Sequence, residues 1–325
     1  MSRNWNEVYQ NQKVILATLQ NIDEIFLAGG TAVQCYLLSE KYRESEDLDF
    51  FIPYEMETRE FASLSRKIIT ALGSNKDIHS IRHIKTEDGT HRIFCNVGDS
   101  DEIIKIELLN FTATRLGDLT FISHKDFPRI ENNYNILLYK LKALCDRTDT
   151  VKDLFDIYFL FKQLEPISLK NMLLDLEFKF LETTGYVYNI ESLVNALKIT
   201  RRWDIALVDD DPSKYAMKEA VIKFQNDFAD TLLMAPELLD FSYRTYIKEK
   251  MKENECSNID DYLSVYENNA FIENECRKIY EDTPTRAKAR TFDKPKIKSI
   301  LQEENKKSNF NMHPSPYKDP LKKPF

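Results

Sequence analysis

The sequence predicts an α+β protein, an N-terminal mixed-sheet α/β domain followed by a C-terminal α-helical domain. Three observations carry this expectation. Six of the seven glycines precede residue 118 and only Gly185 lies beyond it, so the second half lacks the residues that tight hairpin turns need. Before residue 120, several stretches alternate apolar and polar residues at the period of half-buried strands. From about residue 131 the apolar positions recur at three- and four-residue spacing, as in amphipathic helices. A length of 325 residues suits two or three domains. The expected division is an α/β domain over 1–125, a helical domain over 126–283 and a basic, flexible tail over 284–325.

The elements follow in order. Trp5, Val8, Ile15, Leu16 and Leu19 are spaced for one face of a helix over 5–20. Ile25-Phe26-Leu27-Ala28 is a short apolar strand that ends at Gly29-Gly30, and Thr31–Ser39 reads as a helix. After a polar turn, Asp47–Ile52 alternates as a strand and stops at Pro53, which cannot donate to a ladder. A helix over 57–72 and strands at about 78–85, 90–97 and 102–110 complete an expected sheet of about five strands. Helices are then expected over 134–147, 150–164, 168–182, 190–200, 213–232, 236–254, 259–267 and 270–281, with Pro166 as a break.

Charge and composition narrow the classes. Against 45 basic residues stand 53 acidic ones, a net of −8, which weighs against a dedicated duplex-DNA binder. The distribution is uneven. Residues 285–325 hold eleven Lys/Arg and four Asp/Glu, a net of +7, which leaves −15 on the rest. The same segment carries five of the eleven prolines and few large apolar side chains, so it can bury little surface. Cys35, Cys95, Cys145, Cys256 and Cys276 form no CxxC pair and fit free thiols in a reducing cytoplasm. No apolar run approaches 18 residues and the N-terminus has no apolar signal core, so no membrane association is expected. His79, His83 and His91 read as ordinary surface or core histidines, and Asp209-Asp210-Asp211 as an acidic loop before a helix.

The chemistry lies between Leu27 and Phe51. On a strand, Asp47 and Asp49 project to one face, while Leu48, Phe50 and Ile52 project to the other. Two carboxylates roughly 7 Å apart on one strand face repel each other unless a cation sits between them. Hard oxygen ligands of this kind suit Mg²⁺, whose shell substrate phosphates commonly complete. The Gly29-Gly30 pair sits at a strand-to-helix junction, where glycine permits close backbone approach and the helix start offers unpaired N–H groups. Either feature alone is commonly a plain turn or a solvated strand end. In this order and at this spacing they read as a phosphate cradle ahead of a metal-binding pair.

GGTA at 29–32, followed by the RxSxDLDF pattern from Arg43 to Phe50, resembles the AbiEii-type nucleotidyltransferases. These are toxin components of toxin–antitoxin and phage-defence systems within the DNA polymerase β-like superfamily. The resemblance covers about half the chain and is clear again near 140–157. One departure is Gly29-Gly30 where the wider superfamily often has Gly-Ser, so Thr31 would have to replace the serine contact to phosphate.

The resemblance implies a Mg²⁺-dependent enzyme, with Mn²⁺ as a substitute, that moves a nucleotide from an NTP to an acceptor. It implies a third carboxylate beside Asp47 and Asp49. Glu107 is the candidate, because Lys105 and Glu107 face away from apolar Ile104, Ile106 and Leu108; the alternative is a merely wet sheet face. It also implies a basic helix followed by an Arg-Asp-x-x-Asp-Leu motif, matched by Lys142 to Arg147 and then Lys152-Asp153-Leu154-Phe155-Asp156, with Lys152 where the family favours Arg. On a helix Asp149, Lys152, Asp153 and Asp156 share one face, so the alternative is a solvated charged stripe. The expected catalytic set is therefore Asp47, Asp49, Glu107, Lys142 and Asp153, the first three holding metal. Gly29, Gly30, Thr31, Arg43, Ser45, Lys142 and Arg147 are expected to bind nucleotide. The implied acceptor is RNA such as tRNA, and the implied protein partner is an antitoxin. A small molecule or a protein hydroxyl as acceptor, and a non-catalytic interaction protein on the same fold, are the alternatives.

Overall fold

A computed structural model describes residues 3–53, 56–87, 89–110, 121–164, 169–184, 188–208 and 213–234. The order is α1 (Trp5–Leu19), β1 (Phe26–Ala28), α2 (Gly29–Ala32), β2 (Asp47–Phe51), α3 (Thr58–Ser74), β3 (Ile78–Lys85), β4 (His91–Val97) and β5 (Ile104–Leu109). Helices α4 (Asn133–Asp146), α5 (Lys152–Gln163), α6 (Leu169–Thr184), α7 (Ile190–Leu197) and α8 (Ser213–Leu233) follow. The protein is α+β, with a mixed five-stranded sheet as expected. The helices expected over 236–254, 259–267 and 270–281, the basic tail, Cys256, Cys276 and Asp209–Asp211 lie outside the described residues.

Local chemistry starts the helices. The side chain of Asn4 accepts from the Glu7 N–H at the head of α1, and Asn132 and Asn189 do the same for α4 and α7. Helix α3 opens on a reciprocal capping box between Glu57 and Glu60.

The sheet order is β1-β2-β5-β4-β3, with β2 parallel to β5 and every other neighbour antiparallel. Leu48 and Phe50 of β2, Ile93 and Cys95 of β4, and Ile104, Ile106 and Leu108 of β5 are fully buried. Helix α1 packs on β4 and β5, and α3 on β3, to cover that face. The alternate residues of β2 and β5 stay half-buried on the opposite face. Period-2 patterning thus leaves one sheet face wet next to a closed core.

One local difference from the sequence expectation bears on the site. The helix expected over Thr31–Ser39 is a four-residue α-turn that widens into a π-helical segment, Val33–Leu37. Gln34 explains it: its amide donates to Asp156 at 2.9 Å and accepts from the N–H groups of Tyr42 and Arg43, so tertiary bonds override regular winding. Of the three histidines, His83 and His91 are hydrogen-bonded at 3.1 Å, while His79 bonds the Gly98 carbonyl. Cys35, Cys95 and Cys145 are free thiols. Among the described residues no helix is long and apolar enough to cross a membrane.

Candidate functional site

The wet face of β2 and β5 gathers the acidic residues. Asp49 is in register with Glu107, and Asp47 with Lys105, so all four side chains stand on one face of adjacent parallel strands. The Lys105 ammonium lies 2.7 Å from Asp47 Oδ2 and 3.2 Å from Glu107 Oε1. Arg92, opposite Glu107 on β4, donates to the same carboxylate at 2.9 Å. Asp49 has no hydrogen-bond or ion-pair partner among the described residues. Burial pushes its carboxyl up to about 6, with Asp47 and Glu107 adding to the rise and Lys140 and Lys105 opposing it. Burial also raises the Asp47 carboxyl, against the pull of Lys105.

Both glycines of the 29–32 turn are required by close packing. Gly29 has φ +68°, and a Cβ there would lie 1.8 Å from Asp49 Oδ2. A Cβ on Gly30 would lie 2.7 Å from Arg43 Nη2 and 2.8 Å from Ser45 Oγ. The space each missing side chain leaves is thus filled by the motif residues themselves. Within the turn Gly30, Thr31 and Ala32 are buried and Gly29 keeps partial exposure, so the turn is open to an approaching phosphate at Gly29. The Gly29→Ala variant is expected to lose about 10²-fold in nucleotidyl transfer through displacement of Asp49, and about 1–2 kcal/mol in stability through the left-handed φ. Labelled-nucleotide transfer and thermal melting on the same preparation check both.

The segment from Tyr42 to Asp47 is anchored on several sides. Thr31 is buried, with its hydroxyl 3.0 Å from that of Ser45 and donating to the Asp47 carbonyl at 2.5 Å. Gln12 donates to the Ser45 carbonyl, and the Ser45 N–H donates to Tyr9. Buried Arg43 makes a two-pronged bond to Asp156, Nε to Oδ1 at 2.8 Å and Nη2 to Oδ2 at 2.7 Å. The RxSxD pattern therefore has a mechanical meaning. Arg43 ties the chain to α5, Ser45 ties it to the glycine turn, and Asp47 and Asp49 are left to the open face.

Lys140 completes the arrangement. It is buried on α4, with its ammonium 3.1 Å from Asp153 Oδ1 and 2.7 Å from Asp156 Oδ2. Arg147 pairs with Asp153 at 2.8 Å. Three cations and two carboxylates thus form one connected network with a surplus positive charge, and its Lys140 acts electrostatically on Asp49. Burial works to raise the Asp156 carboxyl, but Arg43 and Lys140 overcome it and hold the group down at about 2. Lys142 stands elsewhere on α4. It pairs with Asp146 at 2.5 Å and lies over the rings of Phe180 and Tyr188.

The structure thus brings together Asp47, Asp49, Glu107, Gly29, Gly30, Thr31, Arg43 and Ser45, and joins Asp153 and Arg147 to them through Lys140, Asp156 and Arg43. The lysine next to Asp153 is Lys140, two residues from the expected one. Its signal was readable: Leu137, Lys140, Leu141 and Leu144 form an i, i+3, i+4, i+7 stripe, and a lysine on such a stripe must be paired. Gln34 had no comparable signal.

Asp49 and Glu107 in register, with Asp47 on the same face, offer hard oxygen ligands of the kind a divalent cation takes, and the Lys105 ammonium already stands as a cation between Asp47 and Glu107. Among the described residues no three acidic, histidine or cysteine side chains are drawn into one coordination sphere.

Comparison with known proteins gives a family match over residues 15–244, to the model described as nucleotidyl transferase AbiEii toxin, type IV toxin–antitoxin system. Two Helicobacter pylori structures are similar. One is JHP933, 20% identical with a TM-score of 0.41 over 74% of this chain and 98% of that one. The other is described as a candidate nucleotidyltransferase, 21% identical with a TM-score of 0.42 over 72% of this chain and 98% of that one. No curated protein matches the chain.

Proposed function

The chain belongs to the AbiEii nucleotidyltransferase toxins of type IV toxin–antitoxin systems, and from that premise we propose that it transfers a nucleotide from an NTP to an RNA acceptor such as a tRNA. The observation that carries the reading is the register of Asp49 with Glu107, beside Asp47 and against Gly29, on the open sheet face. Asp47, Asp49 and Glu107 would hold Mg²⁺ or Mn²⁺, which when bound neutralises charge at the reacting phosphate.

The chain's own residues divide the remaining work. The Gly29–Thr31 turn holds the triphosphate, which reaches it at the partly exposed Gly29. The surplus positive charge of the Arg43–Asp156–Lys140–Asp153–Arg147 network attracts the same anion. Thr31, Ser45 and Arg43 act as positioning residues that set the height of Asp47 and Asp49. Residues 1–125 form the catalytic domain, and the helical residues after 126 supply Lys140 and Asp153. The family implies an antitoxin partner, and the basic 285–325 segment is the proposed guide for an RNA backbone.

The test is transfer of label from each α-labelled NTP to total RNA with Mg²⁺, with mass measurement of the modified RNA. Lys140→Met is expected to reduce transfer by at least about 10²-fold, and Lys142→Met by less than about threefold. The opposite ranking would assign the phosphate-side cation to Lys142. Absence of label on any RNA with every NTP would sink the RNA reading.

A further inference from the structure

We propose that Lys105 is a built-in counter-cation, which holds Asp47 and Glu107 in place of the divalent ion and gives up that position when the ion binds. The inference rests on the reading of Asp47, Asp49 and Glu107 as metal ligands.

Geometry singles out this lysine. It lies two residues before Glu107 on β5, which puts both on one face, and its register partner on β2 is Asp47. One ammonium therefore reaches a carboxylate on each of two strands, at 2.7 and 3.2 Å. Its neighbours Ile104 and Ile106 are fully buried, so the strand cannot turn to carry it away. The third carboxylate, Asp49, lacks a partner among the described residues and is left to ligate an incoming ion. Among the described residues Arg92 bonds Glu107 alone and does not bridge.

Chemistry makes the arrangement competitive. An ammonium has donors only and cannot share a carboxylate cluster with a divalent ion without like-charge repulsion. Its flexible four-carbon stem lets it swing out while the strand stays fixed. Without it, Asp47 would face Asp49 and Glu107 with no ion pair of its own, and Arg92 on Glu107 would be the remaining paired cation of the set. Lys105 thus keeps the ion-free site closed and lowers its apparent affinity for the ion.

Calorimetric titration of the full chain with Mn²⁺ alone tests this. The Lys105→Met variant is expected to bind Mn²⁺ about tenfold more tightly than the original chain. It should melt at a lower temperature in EDTA and gain more from added Mn²⁺. Lys105→Arg, which keeps a cation, should stay near the original affinity. If Lys105→Met does not fold, Lys105→Gln carries the same expectation. If the original chain binds Mn²⁺ and neither neutral variant binds it more tightly, the Lys105 inference fails and the metal site stands. If neither the original chain nor the variants bind Mn²⁺, the metal-site reading fails and takes the inference with it.

Discussion

Replacement of Asp49 by Asn is expected to reduce nucleotidyl transfer by about 10³-fold or more, near 4 kcal/mol of transition-state stabilisation, while making the ion-free protein more stable. The two effects share one cause. Asp49 lies against Gly29 with no partner among the described residues, in register with Glu107 and on the same face as Asp47. Folding raises its carboxyl to about 6, so the ionised form is disfavoured in the native state. The native state then holds a proton that the unfolded chain releases, and stability falls as pH rises from about 4 to about 6. The amide removes that penalty, and after allowance for solvent screening the gain is of order 1–2 kcal/mol above pH 6. Below about pH 4 the gain vanishes. Thermal melts in EDTA at pH 4 and pH 8 read the difference, and a transfer assay on the same sample reads the loss. A variant that keeps full transfer would remove Asp49 from the site, and one that destabilises equally at both pH values would make it a structural residue.

Why this much of the site can be read from the sequence, and the rest cannot, follows from the range of the interactions. The alternation of Asp47-Leu48-Asp49-Phe50 sets which face each side chain takes, because a one-residue slip would bury the carboxylates. The same rule on Ile104-Lys105-Ile106-Glu107 puts Glu107 on that face, and the parallel pairing brings it opposite Asp49. The two glycines signal close approach but not its object. The sequence suggested phosphate, whereas the nearest atoms are Asp49, Arg43 and Ser45. Arg43 reads as a nucleotide ligand because it is a cation in a motif. Its partner lies 113 residues away, and no local pattern shows a bond of that span. The π-helical segment is equally hidden, since it depends on where Gln34 finds Asp156 and the N–H groups of Tyr42 and Arg43. Lys140 and Lys142 differ by their place on one helix stripe, and motif matching is blind to that.

Asp156 is where the largest loss of stability is expected. Its carboxylate takes two bonds from Arg43, one from Gln34 and one from Lys140, all buried. Asp156→Ala would strand the buried Arg43 guanidinium and leave Lys140 with Asp153 alone, and breaking such a cluster from one side costs about 3–5 kcal/mol. That is a large fraction of the roughly 5–15 kcal/mol that holds a domain together. Urea denaturation should show the midpoint shift, and transfer activity should fall with it because Arg43 no longer holds the strand that carries Asp47 and Asp49. Acid should have the same target. With its carboxyl held at about 2, Asp156 contributes its full stabilisation above about pH 4 and loses it as pH falls toward 2. Asp156→Asn should therefore flatten that part of the acid unfolding curve. Arg43→Lys supplies the discriminating case, because it keeps the charge but not the two-pronged fit. If Arg43→Lys retains both stability and transfer, charge alone holds the segment and the geometry of the pair is incidental. If it retains stability but loses transfer, the guanidinium sets the position of β2, and the buried network controls the site through that strand.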